Sequence, residues 1–243
     1  MTALRTIYFM LILAIAAISF STVVLAESSN DPVYFYASQS GGKTLDQGEG
    51  GGNPFASALI DLLTYDKLTL ETFQDKLISL TEMKSRGFQR PEIKSNIGIN
   101  KWQISPQSIA EKRVALVIIF SDYSVSGITS LPGAMNDSKR ISEALSDANF
   151  DVQTIVDPDH SELDNSLEEF MSRSKESDIA AIYTTGHGVE VKGTIYLLPG
   201  DYPINYGDTK LDSHAIQLSH LGNAVHAKKL NLVFYAGCRN NPF

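Results

Sequence analysis

Continuous apolar runs alternate with amphipathic stretches over the second half of the chain. Runs that predict buried strands lie at residues 113–120, 151–156, 178–185 and 230–237, with a shorter strand within 194–201. Apolar positions spaced by three and four predict helices at residues 135–150, 161–177 and 213–229. Strands that alternate with helices form a parallel sheet covered on both faces. The fold class predicted is therefore α/β, a three-layer sandwich with a mainly parallel sheet.

The first half of the chain carries weaker versions of the same signals. Residues 33–38, VYFYAS, predict a short buried strand, which a glycine-rich loop follows. Asn53 is a candidate N-cap for a helix that begins at Pro54, and apolar spacing predicts a second helix over residues 69–83. Residues 86–106 are predicted to be extended chain or loop, with a short strand at 101–104.

Two polar patterns refine the ends of the helices. Ser161 and Asp164 are spaced as a capping box and predict the start of the helix at residues 161–177. His160 is expected in the loop before it, and His214, His220 and His226 are expected on one helix. No two of these histidines suggest a ligand pair, so we expect no metal site.

The first 26 residues have the layout of a secretory signal peptide. Arg5 precedes a long apolar run that ends in Val-Leu-Ala before the polar ESSND. The run is also about long enough to span a bilayer, so a retained N-terminal membrane anchor is the alternative. A signal peptide predicts a secreted or periplasmic protein, and both interpretations place the body outside the cytoplasm.

Composition excludes several classes of function. The chain has 243 residues, of which 43% are hydrophobic, which suits one globular domain or at most two small ones. Lys and Arg are scattered singly and the net charge is -8, which argues against nucleic acid as a partner. Cys238 is the single cysteine, so an internal disulfide and a Cys-based zinc site are excluded.

The glycine-rich loop contains a relaxed phosphate-loop pattern, from Ala37 to Gly42-Lys43-Thr44. A phosphate loop needs a helix that starts at the Lys-Thr pair, so that its first N–H groups face the phosphates. The residues that follow, LDQGEGGGNP, start a helix only at a high cost. We therefore expect a wall of a cleft and not a nucleotide site, and we expect no cofactor.

His187 and Cys238 are the strongest candidates for chemistry. Each follows directly on a predicted buried strand, and His187 lies between Gly186 and Gly188. Because the carboxyl ends of parallel strands meet at one edge of a sheet, both side chains are expected at that edge. A nearby imidazole can deprotonate a thiol. Alone, Cys238 would be taken as an inert buried thiol and His187 as an ordinary loop histidine.

These residues resemble a known family. YTTGHGVEVKGTIYLLPGD and NLVFYAGCRNNPF, together with RVALVIIFSDY and LPGAMNDSKRISEALSDANFDV, are similar to the bacterial caspase-like cysteine peptidases, relatives of caspases and metacaspases. The spacing between His187 and Cys238 is close to the value of about 50 residues that is typical of caspases. The resemblance covers residues 113–243 and implies a caspase-like fold.

The resemblance extends to residues 33–104 in a different order. This segment is similar to the small-subunit part that follows the cysteine in the family, which implies a circularly permuted chain. Residues 27–243 are then one domain, with a small-subunit-like segment at 33–104, a linker at 105–112 and the catalytic segment at 113–243. Permutation predicts that VYFYA lies beside LVFYA in one sheet. A truncated gene is the alternative.

The resemblance also implies roles for residues. Cys238 is the nucleophile, His187 is the general base, and the N–H groups of Gly188 and Cys238 form the oxyanion hole. Ala236 stands where relatives carry an aspartate that holds a basic substrate side chain. The candidate pocket acids, each of which could instead be a solvated surface acid, are Asp122, Asp137, Asp46 and Glu49.

The function that the sequence predicts is that of a secreted caspase-like cysteine endopeptidase acting on a protein or peptide substrate. The alternative is an inactive member that keeps the fold as a peptide-binding or scaffold module. A broken gene product without a stable fold is a third interpretation.

Overall fold

The computed structural model describes most of the chain after residue 30. The described residues are 31–48, 50–65, 67–97, 103–104 and 110–243. The predicted signal peptide, Glu49 and most of the predicted linker lie outside these residues.

The strands and helices follow one another along the described chain in a largely alternating order. The strands are β1 (Val33–Tyr36), β2 (Glu92–Lys94), β3 (Arg113–Ile119), β4 (Asp151–Val156), β5 (Ile179–Thr185), β6 (Gly188–Val191), β7 (Thr194–Leu197), β8 (Ile216–Gln217) and β9 (Leu230–Tyr235). The helices are α1 (Pro54–Leu63), α2 (Leu70–Lys84), α3 (Pro132–Asp147), α4 (His160–Lys175), α5 (Leu211–His214) and α6 (Leu218–Gly222), with a 3₁₀ helix at Ile204–Lys210.

A six-stranded sheet within the described residues forms the centre of the fold. Its order is β2-β1-β9-β5-β3-β4. Every neighbouring pair is parallel except β1 and β2, which pair antiparallel at the edge. Parallel strands need long crossover connections, and α3 and α4 supply those that link β3 to β4 and β4 to β5.

Side chains alternate between two hydrophobic cores, one on each face of the sheet. From β3, Val117 faces the core that includes residues of α1, α2 and α3, whereas Ile118 faces the core that includes residues of α4 and α6. Both residues are fully buried, which explains why the strand is continuously apolar. The three-layer α/β architecture predicted from the sequence is confirmed.

Strand β1 joins the sheet beside β9, which confirms the predicted pairing of VYFYA with LVFYA. The two strands are parallel, with Val33 opposite Leu232 and Phe35 opposite Phe234. The ring of Phe35 stacks on Phe234 at 4.8 Å between centroids and meets Phe73 of α2 edge-on at 5.6 Å. Each buried ring contributes roughly 2 to 3 kcal/mol through burial. Residues of β1 and α2 therefore pack in the same core as residues of β9.

A small antiparallel sheet, β6-β7-β8, lies beyond the carboxyl end of β5. Gly186 and His187 form the connection from β5 to β6. Leu198 donates its N–H to the carbonyl of His187 at 2.8 Å, which extends the β6–β7 pairing up to the histidine. The second sheet therefore fixes the backbone of His187.

The predicted helix at 213–229 is wrong. The chain forms α5, β8 and α6 there, because Ile216 and Gln217 pair with β7 and this tertiary pairing overrides the helical spacing of the apolar residues. Consequently His214, His220 and His226 do not share one helix, and His226 lies beyond the end of α6.

Helix starts are partly as predicted. Asn53 caps α1 by accepting the N–H of Phe55 at 2.8 Å, and α2 extends the predicted helix by one residue at its end, to Lys84. The predicted capping box at Ser161 is wrong, because Asp159 caps α4 by accepting the N–H of Glu162 and His160 is the first helical residue. An ionised carboxylate there also interacts favourably with the helix dipole.

The remaining expectations concern short elements. Residues 101–102 of the strand predicted at 101–104 lie outside the described residues, and Gln103 forms an isolated antiparallel bridge with Thr69. No helix among residues 31–48, 50–65, 67–97, 103–104 and 110–243 is long and apolar enough to cross a bilayer.

Candidate active site

His187 lies in the turn that follows β5, and Tyr123 holds its backbone. The N–H of His187 donates to the Tyr123 hydroxyl at 2.8 Å, and this hydroxyl donates to the Leu198 carbonyl at 2.9 Å. The Tyr123 ring packs edge-on against the imidazole, with 4.5 Å between centroids. The imidazole is therefore held from two sides and is only partly exposed.

The imidazole also has a fixed tautomer. Its Nε2 lies 2.8 Å from the carbonyl oxygen of Thr129. A carbonyl oxygen only accepts hydrogen bonds, so Nε2 carries the proton. The other ring nitrogen, Nδ1, is then the one able to accept a proton, which is the state that a general base needs.

Cys238 lies just after β9 and is half-buried. Its sulfur receives the backbone N–H of Thr44 at 3.3 Å, and the Thr44 hydroxyl lies 3.4 Å from the same sulfur. Thr44 belongs to the glycine-rich loop between β1 and α1. No helix starts at Lys43 or Thr44, as predicted, and the loop forms one wall around the thiol.

One small cavity of about 90 Å³ brings the two candidates together. It is lined by Thr44, Leu45, Asp46, Asn53, Leu131, Thr185, Gly186, His187, Ala236 and Cys238. The segment before residue 105 and the segment after residue 112 both contribute to the cavity, because its lining residues up to Asn53 come from the loop after β1. The expected juxtaposition of His187 and Cys238 at the carboxyl edge of the sheet is present.

The backbone of Gly188 lies directly against the turn at Cys238. A Cβ atom at position 188 would overlap the hydroxyl of Tyr235 and lie 2.8 Å from the carbonyl oxygen of Cys238. Real Cβ atoms essentially never come closer than 3.0 Å to such atoms. Glycine at 188 therefore allows the two candidate oxyanion residues to approach each other.

Arg239, the residue that follows Cys238, is anchored by its own buried guanidinium. Arg239 is 1% exposed and donates to Glu92 at 2.6 Å and to Glu190 at 2.9 Å. Ser40 donates to both carboxylates, through its N–H to Glu92 and its hydroxyl to Glu190. Burial raises the pKa of Glu92, but the hydrogen bond and charge of Arg239 outweigh this and hold it below its usual value. The network ties β2, β6 and the glycine-rich loop to Cys238.

Asp46 and Asp137 lie at or near the cavity. Asp46 lines it, and its carboxylate accepts the N–H groups of Gly133 and Ala134 at 2.9 and 3.0 Å, which caps the start of α3. Asp137 is fully buried and accepts from the Asn53 N–H and from Arg140, both at 2.9 Å. Burial raises the pKa of Asp137 to about 7 although both donors lower it.

The other candidate pocket residues differ in position. Asp122 lines a separate cavity of about 250 Å³ and accepts the N–H of Ser124 at 2.9 Å, which lowers the pKa of Asp122. Ala236 lines the cavity of His187, and its carbonyl accepts from the Asn53 side chain at 3.2 Å. Glu49 lies outside the described residues.

Four contributors to the site were not found from the sequence. They are Thr44, Tyr123, Thr129 and Tyr235, whose hydroxyl donates to the carbonyl of Cys238 at 3.0 Å. Thr129 acts through its carbonyl and Thr44 in part through its N–H, and backbone groups leave no signal in residue identity. In the described part of the chain, no group of three or more His, Cys, Asp or Glu residues could hold a metal ion.

Comparison with known proteins points to one family. A model of the caspase domain matches residues 112–242, just over half of the chain, and this match includes His187 and Cys238. A human protein, mucosa-associated lymphoid tissue lymphoma translocation protein 1, is 26% identical over 132 residues, which cover 54% of this chain and 15% of the human protein. Residues 33–104 lie outside the family match.

Proposed function

Because this chain belongs to the caspase domain family, we propose that it is a cysteine-type endopeptidase with Cys238 as nucleophile and His187 as general base. One observation carries the proposal: both residues line one cavity. The Thr129 carbonyl, which lies 2.8 Å from Nε2, supports it because it keeps the proton of the imidazole on that nitrogen. Nδ1 is therefore able to take a proton from the thiol.

The proposed reaction proceeds through an acyl-enzyme. As the Cys238 sulfur attacks the scissile carbonyl carbon, its proton passes to Nδ1 of His187 and the carbonyl oxygen becomes an oxyanion. The N–H groups of Gly188 and Cys238 hold this oxyanion, and two such donors contribute several kcal/mol to lowering the barrier. The C–N bond then breaks, and Nδ1 returns the proton to the leaving amine.

Hydrolysis of the thioester completes the cycle. His187 Nδ1 accepts a proton from water, and the resulting hydroxide adds to the thioester carbonyl carbon. The C–S bond breaks, the thiolate regains its proton from His187, and the acid product leaves. Protein or peptide substrates are the class proposed.

We propose a basic P1 side chain as the preferred one. Asp46 is the acidic residue in the cavity lining, and the carboxylate of Asp137 lies close enough to Asp46 to be affected by its charge. The side chain of Ala236 is small and uncharged, so it leaves room in the cavity for a long basic side chain and does not repel its charge. Opposite charges favour Arg or Lys over Asp at this position.

The catalytically inactive peptide-binding or scaffold module is the second candidate. Two observations favour it. Ala236 has no polar side chain to offer a substrate, and the N–H and hydroxyl of Thr44 lie against the sulfur, where a scissile carbonyl must approach.

Labelling of the thiol separates these functions. Peptidyl acyloxymethyl ketones with Arg, Lys or Asp at P1 are expected to label Cys238, with Arg and Lys faster than Asp by about 10-fold, or about 1.4 kcal/mol. Peptide mapping by mass spectrometry locates the label, and Cys238→Ala is expected to lose it. Iodoacetamide, which needs no substrate pocket, serves as the control for an accessible thiol. If no ketone labels the protein and no peptide of a broad library is cleaved, the inactive module stands instead.

We also propose that the order of the segments reflects circular permutation. The pairing of β1 with β9 and the contacts of Thr44 with Cys238 support this proposal, since both join residues 33–104 to the catalytic segment. Permutation is tolerated where the affected connection is an exposed loop.

A rearranged chain tests the permutation. Residues 110–243 followed by a flexible linker of about 20 residues, which spans about 25 Å, and then residues 31–104 are expected to fold into the same sheet. Circular dichroism and iodoacetamide reactivity should match those of the natural order. A matched chain with the same linker but with residues 31–104 scrambled should fail to fold. Failure of the rearranged chain with an intact linker would contradict the proposal.

A further inference from the structure

Tyr235, the last residue of β9, is coupled to the turn that carries the nucleophile. Its side chain is fully buried, and its hydroxyl donates to the carbonyl oxygen of Cys238 at 3.0 Å. The hydrogen bond runs from the end of the strand to the residue three positions later. It therefore fixes the peptide group that follows Cys238.

Two glycines leave room for this hydroxyl. A Cβ atom at Gly188 would overlap it, and a Cβ atom at Gly237 would lie 2.5 Å from it and 2.6 Å from the Cζ atom of the ring. These distances are shorter than 3.0 Å, the minimum contact distance that Cβ atoms keep in real structures. The hydroxyl thus occupies the space between the two backbone segments that supply the candidate oxyanion donors.

The hydroxyl is a constant donor. Burial raises the pKa of Tyr235 well above its usual value, and the nearby Cys238 raises it further. The group keeps its proton at every pH at which the fold is expected to work. A buried hydroxyl that donates to a backbone carbonyl contributes modestly to stability, but the position of that carbonyl can matter far more for catalysis.

We propose that Tyr235 is a positioning residue for the reaction: its hydroxyl locks the turn of Cys238 against Gly188, so that the nucleophile and both oxyanion N–H groups keep one geometry. The inference rests on the proposed peptidase function. It also explains why glycine stands at position 237, because a residue with a Cβ would displace the hydroxyl.

The first test removes the hydroxyl alone. Tyr235→Phe is expected to lower kcat by about 10- to 100-fold and to change KM by less than about threefold, because a misplacement of about 1 Å can cost 100-fold in rate. Tyr202→Phe is the matched control, since Tyr202 is fully buried and donates to the Gly207 carbonyl at 2.6 Å. Equal kcat values for the two variants would overturn the proposal.

The second test uses the coupling between positions 235 and 237. Gly237→Ala alone is expected to lower kcat by about 100-fold, because the new methyl group displaces the hydroxyl. In the Tyr235→Leu background, which has neither hydroxyl nor ring, the next nearest atom to the new Cβ is the Gly186 carbonyl oxygen at 3.0 Å, so the same Gly237→Ala change is expected to alter kcat by less than about fivefold. An equal loss in both backgrounds would show that the clash is with other atoms and would overturn the proposal.

Hydrogen exchange separates failure of this inference from failure of the proposed function. The amides of Cys238, Arg239 and Asn240 are expected to exchange about 10-fold faster in Tyr235→Phe than in the natural protein, and to be unchanged in Tyr202→Phe. Unchanged exchange in Tyr235→Phe overturns the inference whatever the activity. Faster exchange in a protein that cleaves no peptide supports the locking of the turn and overturns the peptidase function.

Discussion

Replacing His187 with Ala is expected to lower kcat/KM for a basic peptide substrate by about 10³-fold, because general base catalysis by a positioned side chain contributes about 10²- to 10⁴-fold. The imidazole is held by Tyr123 and Thr129 in the state that accepts a proton at Nδ1, and its removal takes away the imidazole that shares the cavity with Cys238. Steady-state hydrolysis of a fluorogenic peptide measures the loss.

A second histidine provides the matched control for this experiment. His220 is exposed on α6, so His220→Ala is expected to keep kcat/KM within about twofold. Iodoacetamide should still alkylate Cys238 in His187→Ala, which shows that the thiol remains accessible. A His187→Ala variant with more than a third of the natural activity would remove His187 from the mechanism.

The free energy of unfolding is expected to fall as pH rises from about 4 to 7, through the contribution of Asp137. Burial raises the pKa of Asp137 from 3.8 to about 7, so between these values the folded chain binds a proton that the unfolded chain has lost. Stability from this group is complete below the unfolded pKa and is lost as pH rises through the folded pKa. The change is worth about 4 kcal/mol.

Urea unfolding at several pH values between 4 and 8 measures this contribution. Asp137→Asn carries no charge at any of these pH values, so its stability should fall less across the same range than that of the natural protein. The difference between the two slopes isolates Asp137 from all other groups. Asp164→Asn, at an exposed position on α4, should retain the natural slope. Parallel slopes for Asp137→Asn and the natural protein would contradict the expectation.

The central strands were predictable because burial on both faces leaves a continuous apolar run. The runs at residues 113–120 and 178–185 differ from β3 and β5 by one residue at an end. The prediction of a helix at 213–229 was wrong because its local pattern does not decide the structure there. Its apolar residues keep a helical spacing, but the pairing of Ile216 with Leu197 of β7 decides the local structure. A pairing between distant residues leaves no local signal.

The sequence predicted the part of the site that consists of distinctive side chains, and it did not predict the part that consists of backbone groups. His187 and Cys238 follow buried strands, and parallel topology brings both to one edge of the sheet. The carbonyl of Thr129 and the N–H of Thr44 belong to the backbone, which every residue has. In the sequence, Tyr235 is only one more position in the run that predicts a buried strand at residues 230–237. The role of its hydroxyl depends on the close approach of Gly188, which only the folded chain reveals.

The position of β9 between β1 and β5 has a consequence for how the molecule folds. Strand β9 connects the β1–β2 pair to the β5–β3–β4 group, and it does so by pairing Leu232 with Val33, residues far apart in the sequence. Such a contact closes a long loop, and topologies rich in these contacts fold slowly. The strand that leads into Cys238 is therefore also the one that unites the two parts of the sheet. We therefore expect the cavity around Cys238 to form only once β1 and β9 have paired.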